Sequence, residues 1–154
     1  MPQGEQFFLK HPDDKGDHIL VNDSFDILGV IDWEWTRTVP KAEAFCSPCM
    51  MWPVADFYNG SNEVAADELH LAAIFMEKGH EDLANLVLNG RKAQRFLFGL
   101  GLESSFLHIE TIPRLFKGLQ RAFDLEDEEW ETWKSKALKR WKDDEIVLKL
   151  LAQE

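Results

Sequence analysis

The chain has 154 residues, 45% of them hydrophobic, and a formal net charge of −11 at neutral pH. That length fits one domain, and that apolar fraction can build a packed core, which excludes a disordered chain. The acidity argues against nucleic-acid binding, which needs a basic patch to displace counterions from phosphates.

No apolar run approaches the roughly 20 residues that cross a bilayer, so no membrane span is expected. Residues 1–10 lack the basic start and long apolar centre of a secretory signal, and the expected location is cytoplasmic. The two cysteines, Cys46 and Cys49, stand in a proline-containing C-S-P-C loop. No second Cys or His pair stands at zinc spacing, so structural thiols are expected ahead of a redox or metal role.

In chain order, residues 6–10 (QFFLK) predict a strand leading into an acidic loop, where Asp13, Asp14 and Asp17 stand with Lys15 and His18. Ile19-Leu20-Val21 reads as a second strand, 22–26 (NDSFD) as a turn, and 27–31 (ILGVI) as a third strand that ends on Asp32-Trp33-Glu34. A hairpin would return Asp32 to the loop that holds Asp13 and His18. Carboxylates converging there would suit a hard cation. Taken singly, the same aspartates read as turn residues and solvated charges.

Residues 36–60 carry Pro40, Pro48 and Pro53 without a clean period. They predict an extended, largely irregular segment, pinned to the core by Met50, Met51, Trp52 and Phe57. From Ser61, a candidate N-cap, the pattern turns helical: Ala65, Leu69, Ala72, Ala73 and Met76 share a face, and Gly79 is a natural stop. A further helical stretch covers 81–100, with Gly90 as either a break or a close contact, and a turn follows at 99–101. Ile109, Ile112, Leu115, Phe116, Leu119, Ala122 and Phe123 form the cleanest stripe, with Thr111 as cap and Pro113 in the first turn. A last helical region runs over 126–152 with Trp130, Trp133, Ala137 and Trp141 on one core-facing side. The acidic run 124–129 at its start reads as a solvated face. His70, His80 and His108 read as surface or packing residues.

The arrangement His11-Pro12-Asp13, then His18-Ile19-Leu20-Val21, then Val30-Ile31-Asp32-Trp33-Glu34-Trp35 resembles the aminoglycoside phosphotransferase and choline-kinase-like family. Its members typically show H-G-D-x-H-x-x-N-I-L-V followed by I-D-W/F-E. The motif likeness covers roughly residues 7–57. The resemblance implies an α+β, mostly helical fold: a short β-hairpin carrying the catalytic-loop and metal aspartates, followed by the helical C-terminal lobe of a protein-kinase-like fold. Residues 1–154 would form that one lobe.

The implied roles follow position by position. Asp13 would be the catalytic, hydroxyl-orienting carboxylate, and Lys15 would lie near the transferred phosphate and help bind the nucleotide. Asp32 would bind Mg²⁺ bridging the phosphates of ATP. His18 stands where the family has a metal-binding Asn, with Asp17 beside it as an alternative oxygen donor. Glu34 would sit near the metal or the substrate. Pro12 replaces the usual Gly. Only about ten residues precede the loop, so the family's N-terminal nucleotide lobe is not expected in the chain. The resemblance therefore implies ATP-dependent phosphoryl transfer to a small-molecule hydroxyl in the parent family, inactive or incomplete in this chain alone. The alternative is a non-catalytic, pseudokinase-like remnant that binds a ligand or protein partner, or self-associates. Phe7, Phe8 and Met51 are its candidate exposed contacts.

Overall fold

Among the residues that the computed structural model describes (6–11, 16–101 and 108–152), four short strands come first and eight α-helices follow. The architecture is α+β. Strand β1 (Phe7–Lys10) pairs antiparallel with β4 (Arg37–Pro40), with Phe7 opposite Pro40 and Lys10 opposite Arg37. Between them in sequence lies a separate antiparallel hairpin, β2 (Ile19–Val21) with β3 (Ile27–Val30), in which Ile19 faces Val30. The turn of this hairpin is built by Asn22. Its side-chain oxygen accepts the N–H groups of Ser24 (3.0 Å) and Asp26 (2.8 Å), and its amide donates to the Asp26 carboxylate at 3.0 Å. That cage holds Phe25 in the left-handed region at φ 63°, a conformation that costs a bulky residue about 1–2 kcal/mol.

Residues 36–60 are more regular than the prolines suggest. After β4 come α1 (Lys41–Ala44), a 3₁₀ turn (Cys49–Met51) and α2 (Val54–Tyr58). Pro40, Pro48 and Pro53 each stand immediately before one of these elements, at φ −60°, −68° and −75°. A helix start has no intrahelical use for the missing N–H, and the fixed φ suits its entry. The prolines therefore start short helices where an irregular run was expected. Phe57 is fully buried and Trp52 and Met51 are half-buried, whereas Met50 is exposed. Cys46 is buried and donates to the Glu43 carbonyl at 3.2 Å, while Cys49 is exposed.

Helix α3 (Ala66–Glu77) begins five residues after Ser61, the expected cap. Its first turn is closed instead by Glu68, whose carboxylate accepts the Ala65 N–H at 2.8 Å. The inward face is Glu68, Leu71, Ala72 and Phe75, and Leu69 and Met76 point to solvent. Helix α4 (Glu81–Leu88) packs on α3 through Ala84, Val87 and Ala72. It is separated from α5 (Arg91–Gly101) at Asn89-Gly90. Gly90 is both the break and a close contact: a Cβ there would lie 3.1 Å from Cys46 Cβ and from the Leu86 carbonyl. Helix α5 continues through residues 99–101, where a turn was expected.

Helix α6 (Ile112–Ala122) starts as expected, with Thr111 at the cap and Pro113 in its first turn. The C-terminal region divides into α7 (Trp130–Arg140) and α8 (Glu145–Leu151). Trp130 and Trp133 pack on Phe116, with ring centroids 5.3 and 4.9 Å away. Trp141, expected in the core, is exposed. Four carboxylates of the acidic run, half-buried Glu128 and three exposed ones, are paired: Lys92 with Asp124, Lys117 with Glu129, Arg121 with Asp127, and Lys136 with Glu128. Each exposed pair stabilises little, yet together they knit α5, α6 and α7. His70, His80 and His108 are exposed. No described helix is long and apolar enough to cross a membrane.

A polar hub joins the strand region to the helices. Glu68 is wholly buried and receives both Arg91 guanidinium nitrogens, at 2.8 and 2.5 Å, together with the Ser47 hydroxyl. Gln94 donates to the Ser47 hydroxyl (2.8 Å) and carbonyl (3.1 Å), and Arg91 also donates to the Glu63 carbonyl at 2.6 Å. A buried carboxylate is tolerable only when its lone pairs are met in this way.

Candidate functional site

The site is the open end of the β2–β3 hairpin. Antiparallel pairing extends one step past β3, where the Ile31 N–H donates to the His18 carbonyl at 2.9 Å. Asp32 follows at φ 63°, ψ 47°, a left-handed conformation in a residue other than glycine. Residues held in such sparsely populated regions concentrate at functional sites, because the surrounding structure must over-determine them.

The constraint here is visible. The chain enters a 3₁₀ turn (Trp33–Trp35), the Trp33 indole N–H donates to the Val30 carbonyl at 2.7 Å, and the Thr36 N–H donates to the Trp33 carbonyl at 3.0 Å. From the other side, His11 crosses from the end of β1. Its Nε2 lies 3.1 Å from the Ile31 carbonyl, an acceptor, so Nε2 carries the proton of that bond. The His11 ring stacks on His18 with centroids 4.0 Å apart and planes 8° apart, and it meets Trp33 edge-on at 5.5 Å. His18 is buried. These ring contacts tie the end of β1 to the hairpin end.

The sequence-derived site residues fall into three groups. Asp17, His18 and Asp32 belong to the same hairpin end. The Asp32 side chain makes no capping hydrogen bond and is exposed. The Asp17 carboxylate is also exposed, with Oδ1 3.9 Å from His18 Nδ1. Glu34 is exposed in the 3₁₀ turn that follows. Asp13 and Lys15 lie outside the described residues.

As cation ligands, Asp32 and Asp17 supply the oxygen donors that Mg²⁺ prefers. His18 fits less well. An imidazole nitrogen is a poor donor to a hard cation, and the His18 ring is buried against His11. Among the described residues, no group of three His, Cys, Asp or Glu side chains is placed to hold a metal.

Sequence reasoning gave His11 no role beyond its place in the H-x-D motif. Its reach of 20 residues to Ile31 is a tertiary contact, and only the motif position could have signalled it. The support of the site was also hidden. Lys10 Nζ donates to the Glu43 carbonyl at 3.0 Å, and Arg37 pairs with Glu43 at 2.6 Å, seating β1 and β4 on α1. From α1 the chain passes directly to Ser47 and the Glu68–Arg91 hub. Comparison with protein-family models, curated proteins and solved structures finds no match to the chain.

Proposed function

We propose that residues 11–35 are the catalytic-loop and metal hairpin of an aminoglycoside phosphotransferase-like or choline-kinase-like chain, and that the helical body is its C-terminal lobe. The observation that carries this reading is Asp32. It is left-handed, exposed, and held at a hairpin end where Ile31 is bonded on one side to His18 and on the other to His11.

Phosphoryl transfer asks a protein for positioning and charge neutralisation more than for covalent chemistry. In this reading Asp32 would hold Mg²⁺, with Asp17 as a second oxygen donor, and the ion would supply charge neutralisation at the nucleotide phosphates. By the resemblance, Asp13 would orient the acceptor hydroxyl and accept its proton, Lys15 would pair with the transferred phosphate, and Glu34 would serve the metal or the substrate. The acceptor is a small hydroxyl compound, and the nucleotide is ATP. The residues named here belong to the metal and acceptor side of such a cleft.

The test is a thermal melt with millimolar ATP and Mg²⁺ or Mn²⁺. At a ligand concentration about five times Kd the expected gain is about 1 kcal/mol, or roughly 2–4 °C, and Asp32→Ala should abolish it. No shift in the parent chain with either metal would overturn the reading.

A second reading, a kinase-like remnant that binds a partner without transferring phosphate, is favoured by one observation. The β2–β3 hairpin leaves apolar side chains in solvent, with Ile27 68% and Leu28 69% exposed.

A further inference from the structure

The same hairpin is unusual in three respects that together define a docking surface. First, its apolar residues are turned outward. Leu20, Ile27 and Leu28 are exposed, and at the tip Phe25 is 84% exposed. Neither long edge of the two-stranded ribbon is paired with a further strand among the described residues. Leu20 pairs with Gly29 and Ile27 with Val21, so apolar side chains stand on both faces of the ribbon, and apolar surface exposed in this way marks an interaction site.

Second, Phe25 is exposed at a position that disfavours it twice. Its backbone is left-handed at φ 63°, where Gly or Asn is the economical choice. Its ring meets solvent rather than core. The Asn22 cage and the Phe25 N–H bond to the Asn22 carbonyl, at 2.9 Å, fix the ring's root in this conformation. A rigidly rooted aromatic at the apex of a surface is the form that binding anchors take, since little freedom is left to lose on contact.

Third, the rim is acidic and uncompensated. Residues 16–36 contain Asp17, Asp23, Asp26, Asp32 and Glu34 and neither Lys nor Arg. The partners within the fold are Asn22 for Asp26 and His18 for Asp17. The acidic run near α7 is the internal contrast, because there the fold supplies Lys92, Lys117, Arg121 and Lys136 to its carboxylates. At the hairpin, among the described residues, no Lys or Arg is paired with these five carboxylates.

From this charge complementarity we infer that the β2–β3 hairpin docks a segment of another protein whose apolar side chains are flanked by Lys or Arg. A second copy of this chain does not fit. Isologous contact would bring the same five carboxylates face to face on two bodies that each carry a net charge of −11. An anionic membrane is repelled for the same reason. The inference rests on the partner-binding reading, in which Asp17, Asp32 and Glu34 carry no metal and keep their charge.

The test titrates the full chain with a fluorescent 18-residue amphipathic peptide of Leu and Lys, beside the same peptide with Glu replacing Lys. Micromolar binding of the Lys peptide alone is expected, weakening steeply with salt. Phe25→Gly should weaken it at least tenfold while raising the melting temperature, because glycine relieves the left-handed strain. Phe25→Ser with Leu28→Ser should do the same without that rise. Asp23→Asn should weaken binding, and Asp124→Asn with Glu126→Gln should leave it unchanged. Binding that ignores Phe25, or that falls equally with the Asp124 and Glu126 changes, would overturn the inference and the partner-binding reading with it. Preferential hairpin-dependent binding of the Glu peptide or of phosphatidylcholine vesicles, or a dimer of the chain that Phe25→Gly dissociates, would overturn the basic partner alone.

Discussion

Arg91→Ala should destabilise the fold by about 3–5 kcal/mol, the range seen when one partner of a buried ion pair is removed. Glu68 is 0% exposed and Arg91 supplies two of its hydrogen bonds. Without the guanidinium, a carboxylate remains in the core with only the Ser47 hydroxyl and the Ala65 N–H. The Glu63 carbonyl and Gln94 lose their donor as well. Urea denaturation at pH 7 measures the loss, and a value under about 1 kcal/mol would mean that the hub is not a buried ion pair in solution.

The pH dependence gives a sharper signature. Burial pushes the Glu68 carboxyl up, but the hydrogen bonds from Arg91, Ser47 and the Ala65 N–H, with the charge of Arg91, more than offset it. The carboxyl is held below its ordinary 4.5. A carboxylate with a depressed native pKa adds stability that is present above the unfolded value and lost as pH falls through the native one. The parent chain should therefore lose this contribution only below about pH 4.5. In Arg91→Ala the burial effect dominates and the native pKa rises above the unfolded one. The contribution of Glu68 then has the opposite sign, and the variant should regain stability between pH 7 and about 5. A parallel pair of pH profiles would count against the hub.

The hairpin was legible in the sequence because its information is local. Ile19-Leu20-Val21 and Ile27-Leu28-Gly29-Val30 are short apolar runs around an Asn-Asp-Ser turn, and period and turn chemistry suffice for such a unit. The start of α6 was legible for the same reason: Pro113 falls in its first turn and Thr111 just before it, although the Thr111 hydroxyl donates to the His108 carbonyl instead of capping the helix. Two of the errors, the face and the cap of α3, come from tertiary override. The inward face of α3 includes Glu68, which a hydrophobic pattern passes over; its burial depends on Arg91, 23 residues away. Ser61 was the better local cap, but Ser61 and Asn62 are engaged by Arg95, which donates to the Ser61 carbonyl at 2.6 Å and to Asn62 Oδ1 at 2.9 Å. Trp141 followed the stripe of Trp130 and Trp133 in sequence, yet α7 ends at Arg140 and the stripe ends with it. At the candidate site, the motif placed Asp32, whereas the stacked His11–His18 pair required the antiparallel return of the chain.

Gly60→Ala should cost about 2–5 kcal/mol, from two sources that a second variant separates. Gly60 has φ +89°, so a Cβ adds about 1–2 kcal/mol of left-handed strain. That Cβ would also lie 2.6 Å from the Arg114 carbonyl oxygen and 3.4 Å from the Gly118 nitrogen, both backbone atoms of α6. Backbone cannot swing aside as a side chain can, so α2 and α6 must part, at the 1–3 kcal/mol typical of overpacking. Gly79 supplies the control, because its φ is +77° with nothing within 4 Å of a Cβ. Gly79→Ala should therefore show the strain alone, about 1–2 kcal/mol, and the difference between the two variants measures the α2–α6 contact. That contact also seats Arg95, which lies over the Phe57 ring at 3.7 Å and donates to the Phe57 carbonyl at 2.8 Å. Burial and the nearby charge of Arg91 push the Arg95 pKa down to about 10, which still leaves it cationic at neutral pH. Its place is kept open by Gly118, where a Cβ would fall 2.4 Å from the guanidinium carbon. Equal losses in Gly60→Ala and Gly79→Ala would mean that α6 yields freely, and that Arg95 rather than the glycine contact sets the spacing of the helical body.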